Sequence, residues 1–530
     1  MRVSHGSTEG GVHPDRSRIA HWRTGAFLAL ALSLTGPTAC KSDPPAPRAI
    51  SPKSLISTAA PLVLSRPLKV HPSNPRYFTD ASGRAVYLTG SHTWTNFQDG
   101  GPEDPPPAFD YTTYLDFLQQ HGHNFFRLWS WEQAKGANMN PSGFWFSPTP
   151  YARPGPGTAL DGKPKFDLNS FNQAYFDRLR QRVVMAGRRN MYVSVMLFNG
   201  WSNAARKGKY AYNNPWQGHP FNRKNNINNI DGDPDNDGSG LEIHTLQVRQ
   251  VTALQERYVR KIIDTVNNLD NVLYEISNES DGGPTYTAWQ YHMINFIKSY
   301  EATQLKQHPV GMTAEWPNGN NGDLFNSPAD WIAPNNDDGN YLADPRPADG
   351  RKVIVSDTDH LCGICGNRAW VWKSFTRGLN PLLMDGHVSQ YIDTDYDPSN
   401  PVWADIRGNL GYARSYAVRM NLAAMTPRGD LASSGYCLAD PGREYLVYLP
   451  TRVHPEDSTL ERVVKGWFEG TVTVDLSRVS GTVDIEWFNP KAGKVVAAGK
   501  ASGGGKQKFT APFGGDAVLY LHASEGRPQK

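Results

Sequence analysis

From about Leu68 onward, short apolar runs rich in β-branched and aromatic residues alternate with longer stretches whose apolar positions recur at helical spacing. The short runs are Val86–Leu88, Asn124–Trp129, Tyr192–Phe198, Val272–Ile276, Val310–Ala314, Trp331–Ala333, Val353–Val355 and Pro381–Met384. The stretches Phe109–His121, Asn169–Arg189, Gln247–Leu269 and Tyr286–Gln304 fit helices between them. Phe78–Leu88, with a turn at Asp80-Ala-Ser-Gly83, predicts a hairpin leading into the first strand. Strands alternating with helices at this spacing are βαβ units with parallel pairing. Eight such strands close a barrel. An open doubly wound sheet is the alternative, but no GxGxxG follows the first strand to support it. After a helix at Tyr412–Ala424 the pattern changes to short alternating strands with Gly/Pro turns: Tyr445–Leu449, Gly470–Leu476, Gly481–Phe488, Lys494–Ala498, Lys506–Thr510 and Ala517–Leu521. That pattern predicts a small antiparallel β-sandwich. The expected fold is therefore α/β, a (β/α)8 TIM barrel over residues 67–426 followed by a β-sandwich over 427–525.

The first 40 residues read as a targeting segment. Arg16, Arg18 and Arg23 precede the apolar stretch AFLALALSL, and Pro37-Thr38-Ala39 leads into Cys40. The apolar run is far shorter than the roughly 20 residues that span a bilayer. A cysteine there resembles a bacterial lipoprotein box, although Pro37 departs from its usual leucine; simple cleavage near Ala39 is the alternative. Residues 41–66 form a Pro/Ser-rich tether. Export to the cell envelope or medium is expected, with a lipid on Cys40 as the sole membrane contact. The other cysteines are Cys362, Cys365 and Cys437, which allow one disulfide: Cys362–Cys365 or a longer bridge to Cys437. A zinc site using them with His360 lacks the second half of any such motif.

With 530 residues, 38% of them apolar and 20% charged, the chain is globular and long enough for two domains. A net charge of +3 gives no reason to expect a nucleic-acid partner. The aromatic content adds more: 15 Trp and 23 Tyr suit a protein that stacks flat apolar ligands such as sugar rings, though many will simply fill the core. A carbohydrate is the expected partner, and no cofactor motif occurs.

A barrel places reactive groups at the C-terminal ends of its strands. In chain order those ends carry His92-Thr-Trp94; Trp129-Ser-Trp131-Glu132, with Arg127 inside the strand; Asn199-Gly-Trp201; Ser277-Asn278-Glu279-Ser280; Glu315-Trp316; Asn335-Asn-Asp-Asp338; Asp357-Thr358-Asp359-His360; and Asp385-Gly-His387. Glycosidic bonds are cleaved by two carboxylates, one protonating the leaving oxygen while the other attacks or activates water. Glu279, next to Asn278 after the fourth strand, suits the acid, and Asn278 can bond a sugar hydroxyl. The competing structural role is a helix cap with a first-turn glutamate.

On these residues, 68–426 resemble the clan of retaining (β/α)8 glycoside hydrolases, in particular its apiosidase-like members. RYFTDASGRAVYLTGSHTW and YFDRLRQRVVMAGRRNMYVSVMLFNGW carry that likeness, while the C-terminal PFGGDAVLYL resembles the collagen-binding-type β-sandwich fused to them. The resemblance implies Glu279 as acid/base and a carboxylate after strand seven as nucleophile. There the chain departs from the usual Thr-Glu. Asp357 takes the register position and is favoured as the nucleophile; Asp359 lies two residues on and would point the same way if the strand continued, so either can attack. About 5–5.5 Å between the two carboxyl groups would mean retention, and about 6.5–9.5 Å inversion.

The remaining candidates have weaker signals. Arg127 in an apolar strand must be paired to be buried, either with the nucleophile or in a structural salt bridge. His92 and His360 can bond hydroxyls or rest in the core. Trp94, Trp129, Trp201 and Trp316 are candidate stacking platforms, and Glu315 could replace either catalytic group. Asp233, Asp235 and Asp237 have the alternate spacing of a calcium loop, but His244 stands where its bidentate Glu belongs, and a solvated turn fits equally. The insertion Trp201–Glu242 is expected to wall one side of the cleft. A catalytically silent surface protein that binds glycan in the same aromatic cleft is the alternative to an enzyme; such a protein has no need of the paired carboxylates.

Overall fold

A computed structural model describes residues 66–141, 143–336, 339–387, 397–451 and 470–523. The targeting segment with Cys40, nearly all of the tether and the acidic pair Asp337–Asp338 lie outside the described residues.

Eight strands form one parallel sheet: β1 (Gly90–His92), β2 (Phe125–Leu128), β3 (Tyr192–Asn199), β4 (Val272–Asn278), β5 (Val310–Thr313), β6 (Trp331–Ala333), β7 (Val353–Asp357) and β8 (Asn380–Met384). They are hydrogen-bonded in the order β1-β8-β7-β6-β5-β4-β3-β2. The sheet closes between β2 and β1, where the Thr89 carbonyl accepts from the backbone N–H groups of both Asn124 and Phe125. The Asn124 side chain braces this seam by accepting from Thr89 N and donating to Tyr87 O. The first barrel strand thus lies four residues later than the predicted Val86–Leu88. Ala85–Val86 instead pairs with Phe78–Thr79 in the expected hairpin.

Helices α1 (Tyr111–Gln120), α2 (Gln173–Gly187), α3 (Arg249–Val266), α4 (Pro284–Glu301) and α5 (Asn321–Asn326) follow β1 to β5. A single turn, α6 (Thr358–Leu361), and α7 (Arg368–Thr376) follow β7, and α8 (Pro401–Arg419) follows β8, beginning well before the predicted Tyr412. Strand residues alternate as the two-residue period requires. In β4, Val272, Tyr274 and Ile276 pack into the helix layer, whereas Leu273 joins the barrel interior. That interior is floored by Phe125, Tyr192, Leu273, Trp331, Val353 and Leu382, with Leu68 and, from the hairpin, Phe78 and Val86 packed against them. Trp331 fits only because β5 offers Gly311, where a Cβ would stand 1.9 Å from the indole. Above this floor the interior turns polar, and at the C-terminal mouth Trp94, Trp129, Trp131, Met196 and Met384 form a second apolar cluster.

The C-terminal strands are antiparallel. A six-stranded sheet runs β9 (Thr426–Pro427), β10 (Cys437–Asp440), β11 (Glu444–Leu449), β16 (Ala517–Ala523), β13 (Thr482–Asn489) and β14 (Lys494–Ser502). It faces a two-stranded sheet of β12 (Thr471–Asp475) and β15 (Lys506–Thr510) across a core of Val447, Val472, Val474, Trp487, Phe509 and Leu519. The larger sheet's other face packs on the barrel's helices through Leu446, Tyr448, Phe488 and Tyr520. Arg368 bridges Asp405 and Asp516, and Arg419 bridges Glu486, across this contact. Cys362 and Cys365 form a disulfide and Cys437 is a free, buried thiol, so two of the three sulfurs proposed for a zinc site are already spent.

Candidate active site

The polar layer of the barrel is organised by Arg127. Phe125-Phe-Arg-Leu128 is an apolar strand, so the guanidinium points inward beside Phe125 and is almost wholly buried. Every N–H direction it offers to the site is used. Nε and Nη2 donate to Glu275 at 2.9 and 2.5 Å, Nη2 also to Asn278 Oδ1 at 2.7 Å, and Nη1 to Asp357 at 3.1 Å and Asp359 at 2.8 Å. Burial alone would push its pKa down, but the three carboxylates raise it instead. Arg127 therefore joins both of the roles expected for it, contacting the strand-seven carboxylates and forming a structural ion pair. Its partner Glu275 lies two strands away. Ser194 of the intervening strand, in register with Arg127, is small enough to leave room and bonds Glu275 through Oγ at 3.3 Å.

Asp357, the last residue of β7, is fully buried. Its Oδ1 accepts from His92 Nε2 at 3.0 Å and from the Asp359 backbone N at 3.1 Å, and its Oδ2 from Arg127. Burial opposes ionisation, but His92 and Arg127 outweigh it and hold the carboxyl well below the usual range. Asp357 thus caps the short turn α6 and carries Asp359 toward the barrel axis. The Asp359 side chain is 11% exposed. One of its oxygens, one of Glu279's and a His360 ring nitrogen lie within 4.8 Å of one another. Burial and the Glu279 charge raise the Asp359 pKa to about 6, against the opposing pull of His360 and Arg127. His360 Nδ1 stands 3.7 Å from Glu279 and 3.9 Å from Asp359. Burial pushes His360 down, yet the facing carboxylates leave it raised overall.

Glu279 follows the last residue of β4 and adopts φ +45°, a left-handed conformation that non-glycine residues rarely take. Its Oε2 accepts from Trp201 Nε1 at 2.6 Å, and its backbone carbonyl accepts from Lys207 Nζ at 2.7 Å. Trp201 stacks on Trp316, with ring centroids 5.5 Å apart and planes at 11°. Asn278 is held through Oδ1 by Arg127, and its Nδ2 is buried without a partner. His92 lies face-on to Trp129 at 5.8 Å. Its Nδ1, the Trp129 Nε1 and both His360 nitrogens are also buried and without hydrogen bonds. Buried polar atoms in native folds are ordinarily satisfied, and these lie beside the carboxylates with hydrogen-bonding capacity to spare.

The structure therefore brings together Glu279, Asp359, His360, Asp357, Arg127, Asn278, His92, Trp129, Trp201 and Trp316. Trp94 and Trp129 are 6% and 1% exposed and both pack in the apolar cluster at the mouth, with little face left for stacking. Glu315 is turned to the helix layer, where Thr287 and Gln290 of α4 donate to it, and burial lifts its pKa to about 7. It does not reach Glu279's partner position. Asp385 is spent on a two-bond pair with Arg407. Asp233, Asp235 and Asp237 do converge within 4.8 Å, the spacing a cation would need. His244 belongs to another network: it bonds Glu132 at 3.0 Å and Ser280 Oγ at 3.0 Å, behind the β4 end. Burial of Glu132 is outweighed there by His244 and His219, which hold it down at about 2.

Sequence reasoning missed Glu275, Lys207 and the Glu132–His244 pair. Glu275 had a usable signal: it is a charge inside VLYEI, as Arg127 is inside FFRL, and two opposite charges buried in strands of one barrel call for each other. Lys207 had none, since it lies in a polar insertion and gains its place only from the fold.

Two family descriptions match parts of the chain. Residues 139–316 match a domain of unknown function, and residues 465–522 match the "putative collagen-binding domain of a collagenase". No curated protein matches. Among solved structures, a glycoside hydrolase is 15% identical with a TM-score of 0.53, over 89% of this chain and 100% of its own. A family 5 glycoside hydrolase from Bacteroides vulgatus is 14% identical with a TM-score of 0.55, over 89% of this chain and 97% of its own. This chain shares their fold. It is a (β/α)8 barrel followed by a β-sandwich.

Proposed function

We propose that this protein is a retaining glycoside hydrolase in which Glu279 is the acid/base and Asp359 the nucleophile. The observation that carries the reading is the approach of Glu279 and Asp359 oxygens within 4.8 Å across the barrel mouth. That spacing falls on the short side, where the second carboxylate attacks directly, and not at the roughly 6.5–9.5 Å that lets a water attack from beside the sugar. Asp359 attacks the anomeric carbon as Glu279 gives its proton to the departing oxygen, forming a glycosyl ester. Glu279, now a carboxylate, takes a proton from water as that water attacks the same carbon, and the ester bond breaks to restore Asp359. Asp357, fully buried and bonded to three partners, acts by orienting Asp359. The free Asn278 Nδ2 suits a sugar hydroxyl next to the anomeric carbon.

A glycan-binding protein without activity is the second reading. Two partly desolvated carboxylates held against each other would be a cost without a use in such a protein. The test is a screen of aryl glycosides, apiosides among them, and of plant and bacterial polysaccharides, with wild type and Glu279→Gln. Wild-type hydrolysis that fails in the variant, with a first-formed product of unchanged anomeric configuration by NMR, supports the reading. Equal hydrolysis by both proteins removes Glu279 from its role, and inverted product removes Asp359. We also propose export with a lipid on Cys40; labelling with radioactive palmitate in wild type and Cys40→Ala checks it, and label in both refutes it.

A further inference from the structure

We propose that Lys207 is a positioning residue for the acid/base: its buried ammonium holds the left-handed backbone of Glu279 and so sets the direction of the carboxyl. The proposal rests on the reading of Glu279 as acid/base. Glu279 has φ +45° without being glycine, and such strain persists only when the surroundings over-determine it. Its carbonyl oxygen is enclosed on two sides. At the end of β3, Gly200 comes so near that a Cβ there would stand 2.1 Å from that oxygen. On the other side Lys207 Nζ donates to it at 2.7 Å. Lys207 is 2% exposed and arrives from the insertion after β3, not from any barrel strand. Its Nζ also lies 5.6 Å from the Trp316 ring centroid, and Trp316 stacks on Trp201, which donates to Glu279 Oε2. One side chain thus supports the acid/base through its backbone and through the indole pair that holds its carboxyl.

A buried lysine is costly, and a lysine placed for stability would meet a carboxylate. Here the hydrogen bond is to a peptide carbonyl, while Glu279 and Asp281 act on the ammonium only through space.

The test uses leaving groups. A phenyl glycoside needs its oxygen protonated to depart, whereas a 2,4-dinitrophenyl glycoside leaves as a stable anion and needs little acid help. With the sugar that wild type cleaves, kcat/KM for both glycosides is measured in the full chain for wild type, Lys207→Met, Lys207→Arg and Glu279→Gln. A general acid contributes about 10²–10⁴-fold. For Lys207→Met we expect a loss on the order of 100-fold with the phenyl glycoside and only a few-fold with the dinitrophenyl one, with partial recovery in Lys207→Arg. Equal losses on both glycosides would make Lys207 a packing residue and overturn the proposal, as would no loss at all. Glu279→Gln keeps the two failures apart: without a larger, equally selective loss in that variant, the acid/base reading itself fails. If Lys207→Met does not fold, Lys207→Gln and Lys207→Arg are judged by the same ratio.

Discussion

Asp359 is asked to do two incompatible things: to be ionised for attack, and to sit nearly buried against another carboxylate. Its pKa near 6, against an ordinary 3.8, expresses that conflict as free energy. A folded-state value raised by this amount corresponds to about 3 kcal/mol between its two protonation states. The sign follows from proton linkage. Below pH 3.8 both folded and unfolded chains carry the proton and nothing is lost. Between 3.8 and about 6 the unfolded chain gives it up first, and above 6 the whole penalty weighs on the fold. Asp359→Asn keeps the shape and an oxygen for Arg127 Nη1 while removing the charge. The variant should therefore be more stable than wild type by about 3 kcal/mol at pH 7.5 and by about 1 kcal/mol at pH 4.5, while losing hydrolysis. Guanidinium unfolding at the two pH values, followed by tryptophan fluorescence, measures both differences. A variant less stable than wild type at pH 7.5, or a gain that does not change with pH, would show that Asp359 is not held against its charge, and the opposition to Glu279 would lose its energetic basis.

Three further outcomes follow from the same geometry. On acidification kcat/KM should fall as the Glu279–Asp359 pair takes up its second proton and the ionised Asp359 needed for attack is lost; a rate that does not fall on the acid side would contradict its role. Arg127→Met should cost about 3–5 kcal/mol by leaving Glu275, Asp357 and Asp359 buried without a counter-charge. Arg127→Lys should not rescue it, since one ammonium cannot meet all those partners, and thermal unfolding of both variants decides the point. Gly200→Ala would drive a methyl into the Glu279 carbonyl and should lower turnover by about 100-fold, the effect of misplacing a catalytic group by about 1 Å; a variant with wild-type kcat would show that the strand end yields freely.

The network around Arg127 explains why the partner of Glu279 was hard to read. In the chain, Asp357 and Asp359 are two carboxylates of equal standing at one strand end. Register favours Asp357, and Asp359 would point the same way if the strand simply continued. It does not continue: Asp357 turns back as the cap of α6, and His92 and Arg127 reach it from two other strands. Those contacts leave Asp359 as the carboxylate in reach of Glu279 and, with its 11% exposure, of solvent.

The alternation of strands and helices was legible because burial on both faces of a parallel sheet demands apolar runs, and that demand is local. Seven of the eight barrel strands follow from it, as do Asn278 and Glu279 at the end of VLYEI, whereas the sandwich strands from Tyr445 on were legible from two-residue alternation. Where the pattern erred, a short element was shared between neighbours: Val86 carried a strand signal but was used by the hairpin beneath the barrel. Distance along the chain hid the rest. Arg127 meets Glu275 148 residues away, Lys207 reaches Glu279 across 72, and His92 reaches Asp357 across 265. A sequence states which side chains are expensive to bury and at which strand end they stand. Only barrel closure brings the opposite charges to one axis, and that decides which carboxylate is fixed as a support and which faces Glu279.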